Sequence, residues 1–477
     1  MENSLTHQFK PLPRSSPEQE FVSPIHVAAF EHALKCSKAI PRGYMLLRDG
    51  KVVAERFWQP YTPENKVWVY SLSKSFTATA IGLAVDSGLL STSDRVVDFF
   101  KDKAPADIGR NLGEMRVQHL LNMTTGHATE PIPPLEKAMQ LDWTEYFLHA
   151  PIEHAPGEHF LYNSMASFML SAILHKVSGI SLHDYLRIHL FEPLGFDETF
   201  WDAIPQGINT GGWGLMVRLE DAAKLGQLYL DGGSYQGKRI LSETWVQAAT
   251  SFQSDTLRPN EPVDWCQGYG YQFWLCRHDA YRGDGAFGQF CVVMPKQKMV
   301  LALMCETFDM QSVLDIVWEH VLPAVDSPTH TKEVEVDGNC YAANNSPSGV
   351  EKIQFFFEKE FLRVVLTHNE RETQLRCGRV SWTAGEIDPS VGLGTLWKMS
   401  TVPFIALRGQ TIKTSAWFEW KDEETLRINV AFLETPHRNC FEIHFNKTGI
   451  TLHMLPPSFE QGTNPVSAVF SLEESKG

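Results

Sequence analysis

The sequence predicts an α/β (α+β) domain followed by an all-β domain, on three observations. Strand patterns near residues 40 to 57 return at 265 to 305, with helical patterns between them. After about residue 337 the helical periodicity stops and short alternating runs take over. At 477 residues and 43% apolar content, the chain is long enough to bury two cores.

The elements follow in order. Residues 1–24 are polar, carry several Pro and Ser, and read as a flexible tail. A helix over about 25–38 leads to "GYMLLRDGKVVAERFW", two apolar runs around Asp49-Gly50, a hairpin signal. From Ser71 to about Gly233 helices dominate; "SMASFMLSAILHKVSG" and "RLEDAAKLGQLYLDGG" each close on Gly just past the last periodic residue. Strands then return in "GYGYQFWLC" and "QFCVVMPKQKMVLALMC", on either side of a Gly-rich turn, before a closing helix at 311–322. One domain over 25–325 is expected, its sheet assembled from both ends of its sequence. Residues 326–336, "DSPTHTKEVEV", read as a linker. Over 337–477, "KIQFFF", "FLRVVL", "ETLRINVAFL" and "CFEIHF" are short strands between turns, the pattern of a β-barrel-like domain without helices.

Charge and composition exclude several functions. A net charge of -15 and a pI near 5.6 oppose nucleic acid and anionic membrane surfaces as partners. The first residues, "MENSLTHQFKPLPRSSPEQEF", lack the apolar core of a signal peptide, and no run is long enough to span a bilayer, so a cytoplasmic location is expected. The eight cysteines form no CxxC pair and read as reduced thiols. No HExxH is present, and Glu153-His154 with Glu158-His159 flank a Pro-Gly turn without a third ligand; neither metal nor cofactor is expected. GxSxG is absent, so the nucleophile elbow is not available. Gly283 to Gly288 matches GxGxxG, but a strand rather than a helix follows, which argues against a dinucleotide site. Arg282-Gly283-Asp284 in a chain without a secretory signal is not an adhesion motif.

Three segments carry candidate chemistry. In "VYSLSKSFTATAIGLAVDSGLL", Ser71 and Lys74 share one helix face at a predicted helix start. Unpaired N–H groups and the positive end of the helix dipole there favour an oxyanion and disfavour an ammonium, so a desolvated lysine is able to accept the serine proton. The plain alternative is a chance match, since about one SxxK arises from composition alone. In "HAPGEHFLYNSMASFML", Tyr162 precedes a helix and suits a proton relay; its alternative is a buried aromatic with a satisfied hydroxyl. Asn163 or Ser164 there serves equally well as an N-cap. In "YRGDGAFGQFCVVMP", a Gly-rich turn lets a carbonyl approach the backbone, and an N–H there completes an oxyanion hole with that of Ser71; a hairpin turn is the alternative.

These segments, in this order, resemble the β-lactamase-related serine hydrolases, the group of class C β-lactamases, penicillin-binding DD-peptidases, related esterases, and amidases acting on nylon oligomers. The resemblance covers about residues 25 to 322 and includes "MRVQHLLNMTTGH", "PLGFDETFW" and "GGWGLMVRLEDAAKLGQLYLDGG". It implies a class C β-lactamase-like fold, an antiparallel sheet flanked by helices with a helical subdomain. It also implies acyl transfer, with Ser71 attacking a carbonyl, Lys74 and Tyr162 sharing the proton work, and the N–H groups of Ser71 and Ala286 holding the oxyanion. Ser164, Asp284 and Gly285 fall at substrate-binding positions. The C-terminal domain resembles the lipocalin-like barrel appended to some members, judged by "SAWFEWKDEETLRINVAFLETP".

Two departures from the family pattern matter. Tyr-x-Asn becomes Tyr162-Asn163-Ser164, and Lys-Thr-Gly becomes Asp284-Gly285-Ala286. An acid where relatives have a lysine is expected to repel an anionic substrate. The Lys447-Thr448-Gly449 of the β domain reads instead as a hairpin turn. The expectation is an esterase or amidase on a small neutral or cationic ester or amide, with weak or no β-lactamase activity. The alternatives are a catalytically inactive binding or sensor module and a true β-lactamase or D-peptidase, and a homodimer is left open.

Overall fold

Asp49 and Gly50 both take positive φ, 47° and 78°, and join β1 (Ile40–Arg48) to β2 (Lys51–Phe57) in the hairpin the sequence predicts. Four later strands complete the sheet: β3 (Trp274–Leu275), β4 (Tyr281–Gly285), β5 (Gln289–Met294) and β6 (Met299–Glu306). The order is β2-β1-β6-β5-β4-β3, antiparallel throughout, so the sheet is built from both ends of the domain. β5 is buried at every residue and β6 at all but its last, which is why both read as continuous apolar runs rather than alternating ones.

This computed structural model describes residues 9–134, 137–325, 331–345, 350–358, 361–379, 382–388, 411–433, 438–455 and 466–473. One compact unit comprises residues 1–16 and 30–322; a second comprises 17–29 and 323–477. In the first, helices α1 (Ser73–Asp86), α2 (Ser164–Ser178) and α3 (Leu219–Leu230) lie between the early and late strands in sequence. α3 packs on the sheet against β1, β5 and β6, while α1 packs on α2, and all share one apolar core. α2 ends at Gly179 in the left-handed region, as its sequence predicts. The closing helix α4 (Met310–Ile316) continues as a π-helical turn over Val317–Val321. Among the described residues no single helix is long and apolar enough to cross a membrane.

The second unit carries a ten-stranded sheet in which Gly378 pairs with Trp417 to close a nine-strand barrel, leaving Thr383–Ile387 as a strand flanking it. Its strands are short and alternate: in Thr425–Phe432 every second residue is buried, giving Leu426, Ile428, Val430 and Phe432 to the interior. Lys447-Thr448-Gly449 is a hairpin turn, with Asn446 Oδ1 accepting the Thr448 N–H at 2.9 Å.

Three expectations need correction. "GYGYQFWLC" is a strand only at Trp274–Leu275, because Gly268 and Gln272 at positive φ (106° and 61°) fold the rest into a loop with buried Tyr269 and Phe273. Residues 1–8 of the expected tail lie outside the described residues, but Leu12 is buried and Arg14 pairs with Glu55 and Glu220. Residues 326–330 of the expected linker also lie outside; Thr331–Val336 is a helix, since Val336 joins the barrel core and Glu333 accepts both Arg379 amines and the Trp420 indole N–H.

Candidate active site

Ser71 sits in a 3-10 turn (Tyr70–Leu72) that runs directly into α1, so its side chain stands at the positive end of a fourteen-residue helix. Lys74, one turn on, is 1% exposed. Its Nζ lies 3.1 Å from Ser71 Oγ, 3.2 Å from Ser164 Oγ and 2.8 Å from the Gly212 carbonyl. A carbonyl only accepts, so one Lys74 N–H is committed to Gly212. With a second given to Ser164, a neutral amine keeps its lone pair for the Ser71 proton. Burial lowers the Lys74 pKa to about 7, with the charges of Glu130 and Asp284 opposing.

The bond to Gly212 requires close approach, since a Cβ on that glycine would stand 2.9 Å from the Ser164 carbonyl. Thr77 of α1 braces the same segment by donating to the Gly211 carbonyl at 2.7 Å. Asn163 is the N-cap of α2, its side chain accepting the Ala166 N–H, and that frees Ser164 to face Lys74.

Tyr162 lines the same cleft as Ser71, and Lys74 Nζ lies 4.7 Å over its ring. The ring stacks on Trp274 at 5.5 Å and 18°. Burial first, and Asp284 second, push the phenol well above its usual range, so at neutral pH it is an O–H rather than a phenolate. Of the two groups, the phenol holds its proton and Lys74 is the one able to accept a proton.

β4 brings the third segment. A Cβ on Gly285 would stand 2.0 Å from the Val69 carbonyl and 3.2 Å from the Ser71 nitrogen, so only glycine lets the strand end dock beside the turn before α1. Ala286 follows and lines the same cleft as Ser71. Asp284 faces this cleft, but its Oδ2 accepts from Arg282 Nε at 2.9 Å, with both side chains buried. Burial raises the Asp284 pKa while Arg282 pulls it down. The carboxylate is matched from behind by a fully buried guanidinium, a partner the sequence reading did not include. Arg282 also donates to the Asp264 carbonyl at 2.8 Å and lies 4.3 Å over Trp265, linking the acid to the aromatic wall.

The cleft holds about 320 Å³ and is lined by Phe160, Tyr162, Trp265, Trp274 and Met310 on apolar sides, with Thr256, Arg258, Glu261 and Asp284 as polar groups. All the sequence-predicted residues thus converge: Ser71, Tyr162, Asp284 and Ala286 line it, Lys74 and Ser164 back it, and Gly285 closes the gap. Ser164, expected to bind substrate, faces Lys74. Sequence reasoning missed Glu130, which accepts the Ser164 N–H, together with Arg282 as counter-charge and Trp265 and Trp274 as walls. The Arg282-x-Asp284 alternation on one strand was the available signal for the ion pair; Glu130 lies in a loop with no pattern to mark it. Among the described residues no group of three or more His, Cys, Asp or Glu could hold a metal ion.

The sequence model of the Beta-lactamase family matches residues 29–324, well over half of the chain. The chain belongs to that family. It is 23% identical over 277 residues to the 6-aminohexanoate-dimer hydrolase of Paenarthrobacter ureafaciens, spanning 54% of this chain and 70% of the relative. A solved structure of a putative 6-aminohexanoate-dimer hydrolase from Bacillus anthracis superposes with a TM-score of 0.52 at 19% identity, covering 66% of this chain and 87% of that one. A family VIII carboxylesterase gives 0.51 at 17% identity, covering 64% and 98%. These likenesses agree on the fold, and the named relatives are hydrolases.

Proposed function

We propose that this chain is a serine hydrolase that cleaves an ester or amide through an acyl-enzyme on Ser71. The observation that carries the reading is the buried Lys74 amine, bonded to Gly212 and Ser164 with Ser71 Oγ at 3.1 Å. As Ser71 Oγ bonds to the substrate carbonyl carbon, its proton passes to Lys74 Nζ. The carbonyl oxygen gathers charge against the N–H groups of Ser71 and Ala286. When the carbon–heteroatom bond breaks, the leaving atom takes the proton from Lys74 through the Tyr162 hydroxyl. Water then adds to the acyl-enzyme, gives its proton to the same pair, and releases the acid as Ser71 regains its hydrogen.

The substrate is neutral or cationic at the third motif, and β-lactam hydrolysis is weak or absent. In place of a lysine for the β-lactam carboxylate stands Asp284, already paired with Arg282, so that position offers no cation. Arg258 is the cationic residue lining the cleft, and it is accompanied by Glu261.

The test is hydrolysis of p-nitrophenyl acetate and butyrate beside nitrocefin, with Ser71→Ala as control and fluorophosphonate labelling of Ser71. Ester turnover lost in the variant, with nitrocefin untouched, is expected. Equal turnover in both proteins and no labelling would overturn the reading in favour of a binding module.

A further inference from the structure

An aromatic ladder starts at the residues next in sequence to Ser71 and Ala286 of the cleft. The Tyr70 ring meets Phe287 edge to face at 5.1 Å, and Phe287 meets Phe308 in the same way at 5.3 Å. Tyr70 precedes Ser71 and Phe287 follows Ala286, so the first two rungs flank the two N–H groups proposed to hold the oxyanion. Both rungs have left-handed backbone, φ 46° and 67°, where a bulky residue is strained. Strain of this kind persists when the surroundings over-determine it, and at Phe287 they do. The Phe287 carbonyl accepts from Thr307 N at 3.2 Å and from Gln289 Nε2 at 3.2 Å.

The outer rung is the unusual one. Phe308 is 92% exposed, yet its backbone is fixed on both sides, by the Thr307 bond to Phe287 and by Asp309 N donating to Thr307 Oγ1 at 3.0 Å before α4 begins. Single exposed aromatics need no explanation. This one is continuous with two strained rings and stands two residues before Met310 of the cleft wall.

Which part of a substrate would lie there follows from the tetrahedral carbon. One of its bonds goes to Ser71 Oγ, and its oxyanion points at the Ser71 and Ala286 nitrogens. The leaving atom must face Lys74 and Tyr162, which supply its proton. The remaining substituent, the acyl chain, is directed away from that pair, past the residues that flank the oxyanion donors. We infer that the Tyr70–Phe287–Phe308 ladder is the acyl-chain subsite, selecting esters or amides of apolar acids several carbons long; this rests on the serine-hydrolase reading above.

The experiment compares kcat/KM for p-nitrophenyl acetate and p-nitrophenyl octanoate in wild type, Phe308→Ala and Phe308→Leu, using the full chain. Wild type is expected to prefer octanoate. Phe308→Ala should lower the octanoate-to-acetate ratio by about tenfold, the order set by removing apolar contact from a chain of several methylenes. Phe308→Leu should restore part of that ratio. A ratio unchanged in Phe308→Ala overturns the subsite even if Ser71→Ala abolishes turnover of both esters. If Ser71→Ala hydrolyses both as wild type does, the serine-hydrolase reading itself fails. Because the side chain is exposed, the substitution leaves no cavity to unfold the protein.

Discussion

Two lysines of the same domain are equally hidden from water, and they are held in opposite ways. Lys74 on α1 is 1% exposed and Lys224 on α3 is fully buried. Lys224 Nζ stands 3.6 Å from Asp221 one turn earlier and 2.8 Å from the Gly195 carbonyl. Lys74 touches two hydroxyls and a carbonyl, and the carboxylates that favour its charge act from a distance. Burial lowers both amines. At Lys224 the adjacent carboxylate opposes that lowering and makes a strut; at Lys74 no carboxylate is in contact, and the amine is left able to accept a proton. Depth in the protein makes a lysine available for chemistry only when no counter-charge touches it.

The comparison breaks most clearly under one substitution applied twice. Lys74→Met is expected to lower kcat/KM for p-nitrophenyl butyrate by about 10²–10⁴-fold, the contribution of a positioned acid–base group, with the thermal midpoint little changed. Lys224→Met strands Asp221 and should cost about 3–5 kcal/mol of stability, seen as a falling thermal midpoint, while turnover per fluorophosphonate-titrated site holds. If the two variants behave alike, the distinction between base and strut is wrong.

Tyr162→Phe sharpens the division of labour beside Lys74. A relay hydroxyl predicts a fall in kcat of about two to four orders of magnitude with folding retained, since the ring keeps its stack on Trp274. Unchanged turnover would reassign the tyrosine to packing.

The smallest effect is in pH. With the Lys74 pKa lowered to about 7 and the neutral amine as the working form, kcat/KM should rise as pH increases through about 7 and level off above it. Glu130 favours the charged amine, so Glu130→Gln should move that limb to lower pH. A limb that stays in place would assign Glu130 to holding Ser164 alone, and Lys224→Met should not move the limb at all.

Much of this was legible in the residues. Asp49-Gly50, the Gly179 cap and the continuous apolar runs of β5 and β6 identified a sheet made from two distant segments, because turn chemistry and burial on both faces leave local marks. Ser71 and Lys74 were legible for the same reason, since one helix turn fixes their distance. "GYGYQFWLC" misled because aromatic residues buried in a loop look like a strand until Gly268 and Gln272 turn the chain.

The sequence by itself determined two domains, an SxxK pair at a helix start and the loss of the third-motif lysine. Only the tertiary structure decided that Asp284 is paired with Arg282, that Ser164 serves the lysine, that Glu130 reaches α2, and that Tyr70, Phe287 and Phe308 form one ladder. Distances within a helix turn are set by backbone geometry and can be counted along the chain. Counter-charges and ring contacts join segments separated by tens to hundreds of residues, and packing alone brings those together.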